Sequence, residues 1–165
     1  MRTFADKARV FSRLADGTLA VLISNVTKAM FGMSFSLSPR MLDAQAPQKH
    51  LALLPLKGQV SVMVGISSSE AGCVELSSAL FQCSPDKLDE AMIKDSLGEL
   101  LNMAAGQVRS ALALDQALGL PELRSDAESV AASEKWRIVA LQAGKVDLLL
   151  WLSDQPTLQE SSKGK

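Results

Sequence analysis

DKLDEAMIKDSLGELLNMAAGQVRSAL, residues 86–112, is the stretch from which the rest of the chain can be read. Ile93, Leu97, Leu100, Leu101, Ala104, Val108 and Leu112 recur at intervals of three and four, the spacing of a helix and not of a strand. At about 100° per residue they form one apolar stripe, so a long amphipathic helix lying on a core is expected. The opposite face carries Asp95, Glu99, Asn102, Gly106 and Arg109, a ridge about 80° wide. Glu99 and Asn102 stand three apart and aim at nearly the same place. A polar stripe of this kind is ordinarily a solvated face. Asn is the odd member, because it is a mediocre helix former and a merely solvated face more often carries Glu, Lys or Gln. Gly98 and Gly106 flank the pair, and each costs the helix about 0.8–1 kcal/mol relative to Ala. Close approach of another backbone is one reason for such glycines.

Composition narrows the classes around this helix. The chain has 165 residues, enough for one domain with a sizeable core. With 47% hydrophobic and 21% charged residues it is globular rather than disordered. The formal charge of −1, with signs interspersed, gives no basis for nucleic-acid binding. There is no Tyr and only 4% aromatic residues, so base-stacking platforms are not expected. Cys73 and Cys83, in no CxxC arrangement, are read as reduced thiols. His50 is the single histidine, so His-based triads and multi-His metal sites are hard to assemble; it is placed in a loop or at a strand edge. MRTFADKARV carries charges where an apolar secretory segment would stand. The longest apolar runs, such as VDLLLW, are far short of the ~20 residues that span a bilayer. A cytoplasmic protein with no membrane contact is expected.

Taken in order, residues 4–31 have helical periodicity through Phe11, Leu14, Leu19, Leu22, Val26 and Met30, with Gly32 at a C-cap position. Residues 33–37 read as a strand, and 50–57 and 59–67 as two strands joined at Gly58. A helix is expected from residue 68 onward, with Ser at its cap and an acid in its first turn. Ser84-Pro85-Asp86 breaks that helix and starts the central one, with Pro in its first turn. GLPEL begins a strand and RSDAESVAASEK reads as a polar loop. WRIVALQAGKVDLLLWL reads as a hairpin turning at residues 143–145. Residues 153–165 form a polar tail, expected to be disordered. A faint internal echo lays LADGTLAVLISNVTKAM over SLGELLNMAAGQVRSAL, with Gly17 on Gly98, Thr18 on Glu99 and Val21 on Asn102. The order of elements gives an α/β (α+β layered) domain with a mixed, largely antiparallel sheet packed against long helices. Hairpin-length links exclude an all-parallel sheet, and no Gly-rich phosphate loop is present.

DSLGELLNMAAGQVRSAL resembles the signature of the CheC/CheX chemotaxis phosphatase family: Asp or Ser, three residues, Glu, two residues, Asn, and a later Pro. Asp95, Glu99 and Asn102 match that pattern. Pro121 looks like the later proline but arrives a few residues early, which leaves the register of the following strand open. The resemblance extends to the order of elements along most of the chain. A single copy of the motif is similar to CheX rather than CheC.

The resemblance implies one CheX-like domain over residues 1–152, followed by the tail. It implies a hydrolase acting on the aspartyl phosphate of a CheY-like receiver domain of a response regulator. Asn102 would orient the attacking water, and Glu99 would dock against the receiver's Lys. Asp95, Gly98, Gly106 and Arg109 would contact the partner. Mg²⁺ would come with the receiver, with no metal or cofactor held by this chain, and a homodimer is implied. Two other readings stay open. One is a non-catalytic CheX-like module for partner binding or dimerisation. The other is a hydrolase using Asp95 and Glu99 as paired carboxylates, against which their one-turn spacing counts.

Overall fold

The order of elements follows from where the chain can bury its apolar side chains. The computed structural model describes residues 10–39, 47–58, 61–133 and 135–154. A 3₁₀ turn at Val10–Arg13 precedes α1 (Asp16–Phe31), then β1 (Ser36–Leu37), β2 (Gln48–Lys57) and β3 (Val62–Ser69). Next come α2 (Glu70–Phe81), a 3₁₀ turn at Pro85–Lys87, and α3 (Glu90–Ala111). The chain continues through β4 (Ala117–Leu118), β5 (Glu122–Arg124), α4 (Ala127–Ser133), β6 (Arg137–Ala143) and β7 (Val146–Ser153). The sheet order is β1-β6-β7-β3-β2-β4, with β5 also pairing β2. Among the described residues every pairing is antiparallel, so the sheet is purely rather than largely so.

Strand side chains alternate between two faces. Leu54, Leu56, Val64, Ile66, Leu148 and Leu150 join one core with α1, α2 and α3. Leu51, Leu53, Met63, Leu149 and Trp151 point the other way and pack with Ala127 and Val130 of α4. That second face explains why β2, β3 and β7 read as nearly continuous apolar runs rather than alternating ones. Trp136 meets Trp151 edge to face at 5.6 Å.

Several sequence expectations shift. The first helix does not run through residues 10–31. Ala15 is extended (φ −74°, ψ 158°) and the helix starts at Asp16. The segment before it is held by distant partners: Phe11 N donates to Asp154 Oδ1, and Arg137 donates to Phe11 O and Asp16. Residues 4–9 of that expected helix lie outside the described residues. The first strand is confined to Ser36–Leu37, after Phe35 N has donated to Ser24 Oγ. The second and third strands each extend two residues past one expected end; Gln59, the expected start of the third, lies outside the described residues.

Pro85 sits in its own 3₁₀ turn, not in the first turn of α3. Leu88 is extended, and Asp89 caps α3 by accepting from Met92 N at 2.9 Å. RSDAESVAASEK contains helix α4 instead of being a loop throughout. Its Val130 is buried and its Val130 carbonyl accepts from Trp136 Nε1, a packing signal too brief for periodicity to show. GLPEL does lead into a strand, β5, and the hairpin of β6 and β7 turns at Gly144-Lys145. β7 includes Ser153, and residues 155–165 of the expected tail lie outside the described residues.

Candidate functional site

Helix α3 is clamped by its apolar stripe. Leu97, Leu100, Leu101, Ala104, Ala105 and Val108 are all buried, and so is Ser96, whose hydroxyl donates to the Met92 carbonyl. With that side fixed, the opposite ridge must face outward. Asp95 and Glu99 are exposed; Asn102, Gly106 and Arg109 are half-buried. Asp95, Gly98, Glu99 and Asn102 together line an open groove of about 690 Å³. Its remaining walls are Pro121 and Leu123 from the β4–β5 region, Leu80 and Phe81 from the end of α2, and Lys94. The result is a polar strip bordered by apolar walls.

Among the described residues, no hydrogen bond or ion pair engages the side chains of Asp95, Glu99 or Asn102. A carboxylate and a carboxamide are thus presented together with their hydrogen-bonding capacity unspent. The carboxylate is acceptor-only, whereas the carboxamide both donates and accepts. Such a pair can grip a cationic group and a water molecule side by side.

The other predicted site residues divide. Gly98 belongs to the groove, where a Cβ would stand 4.0 Å from both Pro121 and Leu123, an ordinary contact. Gly106 continues the ridge, and a Cβ there would meet nothing within 4 Å. Neither glycine is therefore demanded by packing among the described residues. Arg109 lies at the far end of the ridge, where its Nη1 donates to the Gln116 carbonyl at 3.1 Å, tying the end of α3 to the link before β4. Pro121 stands against the ridge, so its early arrival in the sequence does not displace it from the helix face. The walls at Leu80, Phe81 and Leu123 were not singled out from sequence. A large apolar residue at a helix C-terminus, as Phe81 is, was the available signal.

Elsewhere the chemistry is structural. His50 is neither in a loop nor exposed at a strand edge: it lies in β2, 4% exposed, with Nε2 3.1 Å from Glu90 Oε2. Burial lowers its pKa, a shift that Glu90 opposes and that Lys49 and Lys94 reinforce. Cys73 is buried, and desolvation followed by the Asp147 carboxylate pushes its thiol up to about 12, which makes it inert. The Asp147 carboxylate accepts from Ser69 N, Ser69 Oγ and Gln48 Nε2, closing the start of α2 onto β7. Among the described residues, no group of three or more His, Cys, Asp or Glu is placed to hold a metal ion. No helix there is long and apolar enough to cross a membrane.

Among the described residues, an antiparallel sheet thus carries three helices on one face, with Glu99 and Asn102 on the outer side of the longest. The family model described as chemotaxis phosphatase CheX matches residues 51–139, more than half of the chain, and the chain belongs to that family. Solved structures with the same fold include the chemotaxis protein CheX from Vibrio vulnificus, at 18% identity and TM-score 0.62, covering 82% of this chain and 92% of that one. CheX from Desulfovibrio desulfuricans gives 15% identity and TM-score 0.62, over 84% of this chain and 98% of that one. CheX from Borrelia burgdorferi, solved in complex with CheY, BeF₃ and Mg²⁺, gives 14% and 0.62, over 82% and 94%. No curated sequence matches this chain significantly.

Proposed function

We propose that this chain hydrolyses the aspartyl phosphate of a phosphorylated CheY-like receiver domain. The observation that carries the reading is the shared placement of Glu99 and Asn102, both unpartnered, in one groove on the outer face of α3. Membership of the CheX family supports it, as does the Borrelia burgdorferi relative solved with CheY.

The chemistry asked of the groove is small. In a receiver domain the phosphoryl group is already held by that protein's own Mg²⁺ and Lys, so no metal of this chain is needed. What this chain adds is an oriented water. The Asn102 carboxamide both donates to and accepts from that water, setting its oxygen in line with phosphorus. The water oxygen bonds to phosphorus as the bond to the aspartyl oxygen breaks, releasing inorganic phosphate and a free carboxylate. A glutamine positions water in small GTPases on the same logic. Glu99, three residues back on the same face, pairs with the receiver's Lys and sets the helix over the phosphate. Asp95 extends that contact. Gly98 and Gly106 keep the ridge low for the partner backbone, which accounts for two glycines that packing among the described residues does not require. Arg109 contributes from the end of the ridge. A homodimer is part of the proposal, with β1 on one side of the sheet and β4 with β5 on the other as the available edges. A cytoplasmic setting goes with such a partner.

The apolar walls favour a second reading, a module that binds a partner without chemistry. Dephosphorylation of a panel of phosphorylated receiver domains, with wild type and Asn102→Ala compared, separates the two. Acceleration by wild type and none by Asn102→Ala supports the phosphatase; no acceleration of any receiver by wild type leaves the binding module.

A further inference from the structure

We infer that Phe81, in the lining of this groove, and Leu120, the chain neighbour of its Pro121 wall, are specificity-determining contacts, an apolar rim that anchors the receiver domain beside the aspartyl phosphate. The inference rests on the phosphatase reading and names the residues that select its partner.

Leu120 is 86% exposed, more than any other large hydrophobic residue among those described. Its exposure is built. Leu118 pairs with Leu56 of β2, and Glu122 pairs with Leu53 of the same strand. Four steps along one chain therefore face three along the other, so one residue is extra: a β-bulge on the sheet edge. Gly119 N donates to the Pro55 carbonyl at 2.8 Å, and a Cβ at Gly119 would fall 2.6 Å from Pro55 Cγ and 3.1 Å from its carbonyl oxygen. Only glycine fits there. Pro121 on the other side confines Leu120 to extended backbone. Leu120 is thus held outward between two restricted residues and loses little freedom when a partner covers it. Pro121, its neighbour, is the wall of the groove facing Gly98. Phe81, the last residue of α2, is 40% exposed and lines the same groove.

The occupant follows from the charge between these apolar groups. Asp95 and Glu99 outnumber Lys94 among the charged groups lining the groove, so the partner brings a cation there and an apolar surface around it. A receiver whose phosphorylated Asp lies beside Lys and a bound divalent cation has that charge. The rim then requires exposed apolar side chains next to it, and receivers that lack them are rejected. Rigid, exposed large side chains beside a polar centre are where binding free energy concentrates.

The test uses the full chain and a panel of receiver domains activated with beryllofluoride and Mg²⁺. Dissociation constants are measured for wild type, Leu120→Ser, Phe81→Ser and Asn102→Ala, with Val21→Ser, an exposed valine on α1 away from the groove and the sheet edges, as control. Leu120→Ser and Phe81→Ser are each expected to raise Kd, and KM for the phosphorylated receiver, about tenfold while kcat holds. Val21→Ser is expected to change neither, and Asn102→Ala to lower kcat at unchanged Kd. If both rim variants keep Kd within twofold while wild type dephosphorylates its receiver, the rim assignment is overturned and the phosphatase reading survives. If Leu120→Ser instead alters only self-association, the bulge is a contact between copies of this chain and the assignment is also overturned. If wild type neither binds nor dephosphorylates any receiver, both readings fall together.

Discussion

Helices α1 and α3 are built alike and end in different roles. Each lays a buried stripe on the same core: Leu19, Ile23 and Val26 on α1, and Leu97, Leu101 and Val108 on α3. Each carries a glycine on its outer face, Gly17 and Gly98, at positions that the sequence echo superimposes. The next outward positions diverge. On α1 they are Thr18, exposed, and Val21, 59% exposed; on α3 they are Glu99 and Asn102. The surroundings diverge as well. Among the described residues, nothing lies within 4 Å of a Cβ built at Gly17, whereas at Gly98 Pro121 and Leu123 stand at 4.0 Å. A helix aims side chains, but a neighbouring wall turns an aimed face into a groove. On this reading, a phosphatase site needs both the polar pair and the wall, and among the described residues only α3 has both.

Five experiments test this contrast between α1 and α3. The largest effects should be common to the two helices. Leu101→Ala on α3 and Ile23→Ala on α1 remove fully buried side chains, and each should cost about 2–5 kcal/mol in chemical unfolding. Unequal losses would show that the shared core supports one helix more than the other. Asn102→Ala should then lower receiver dephosphorylation by about 100-fold with no change in unfolding midpoint, the scale expected when a positioned reactant is released. A loss below about threefold would remove Asn102 from the chemistry.

Glu99→Gln keeps the shape and removes the charge. We expect roughly tenfold weaker receiver binding, with a reduced salt dependence as the signature of a lost ion pair. Affinity unchanged at low salt would exclude Glu99 as the docking carboxylate. The His50–Glu90 contact at the start of α3 should show in the pH dependence of stability. The folded pKa of His50 is lowered, chiefly by burial, so the unfolded chain takes up its proton first as pH falls below about 6.5. Stability contributed by neutral His50 is therefore present above that pH and lost on acidification. A His50→Gln variant should flatten this slope in unfolding measured at pH 7.5 and 5.5; an identical slope would place the titration elsewhere. The smallest expected effect is a transplant. Thr18→Glu with Val21→Asn, made on Asn102→Ala, should restore no activity, because among the described residues no wall stands beside the start of α1. Recovery would mean that the residue pair suffices without the groove.

The central helix and its site face were legible in the sequence because helical periodicity is a local property. Seven apolar positions spaced by three and four fix one buried side, and geometry then fixes where Glu99 and Asn102 point. The β6–β7 hairpin was legible for a similar reason, since its turn and strands are contiguous. The internal echo located the α1 face as well, but gave no sign that it would stand open.

Local periodicity alone settles the amphipathic frame and the chemical identity of the ridge: Asp95, Glu99 and Asn102 face outward wherever α3 packs. The start of α1 depends instead on long-range contact, because Phe11 is bound by Asp154, 143 positions away. Such contact also places His50 in the interior beside Glu90, and makes a helix of Ala127–Ser133 by giving Val130 a sheet to cover. The groove wall and the outward thrust of Leu120 are of the same kind. They depend on the register of β4 and β5 against β2, and register is set by pairings between residues far apart in the chain, which no local period records.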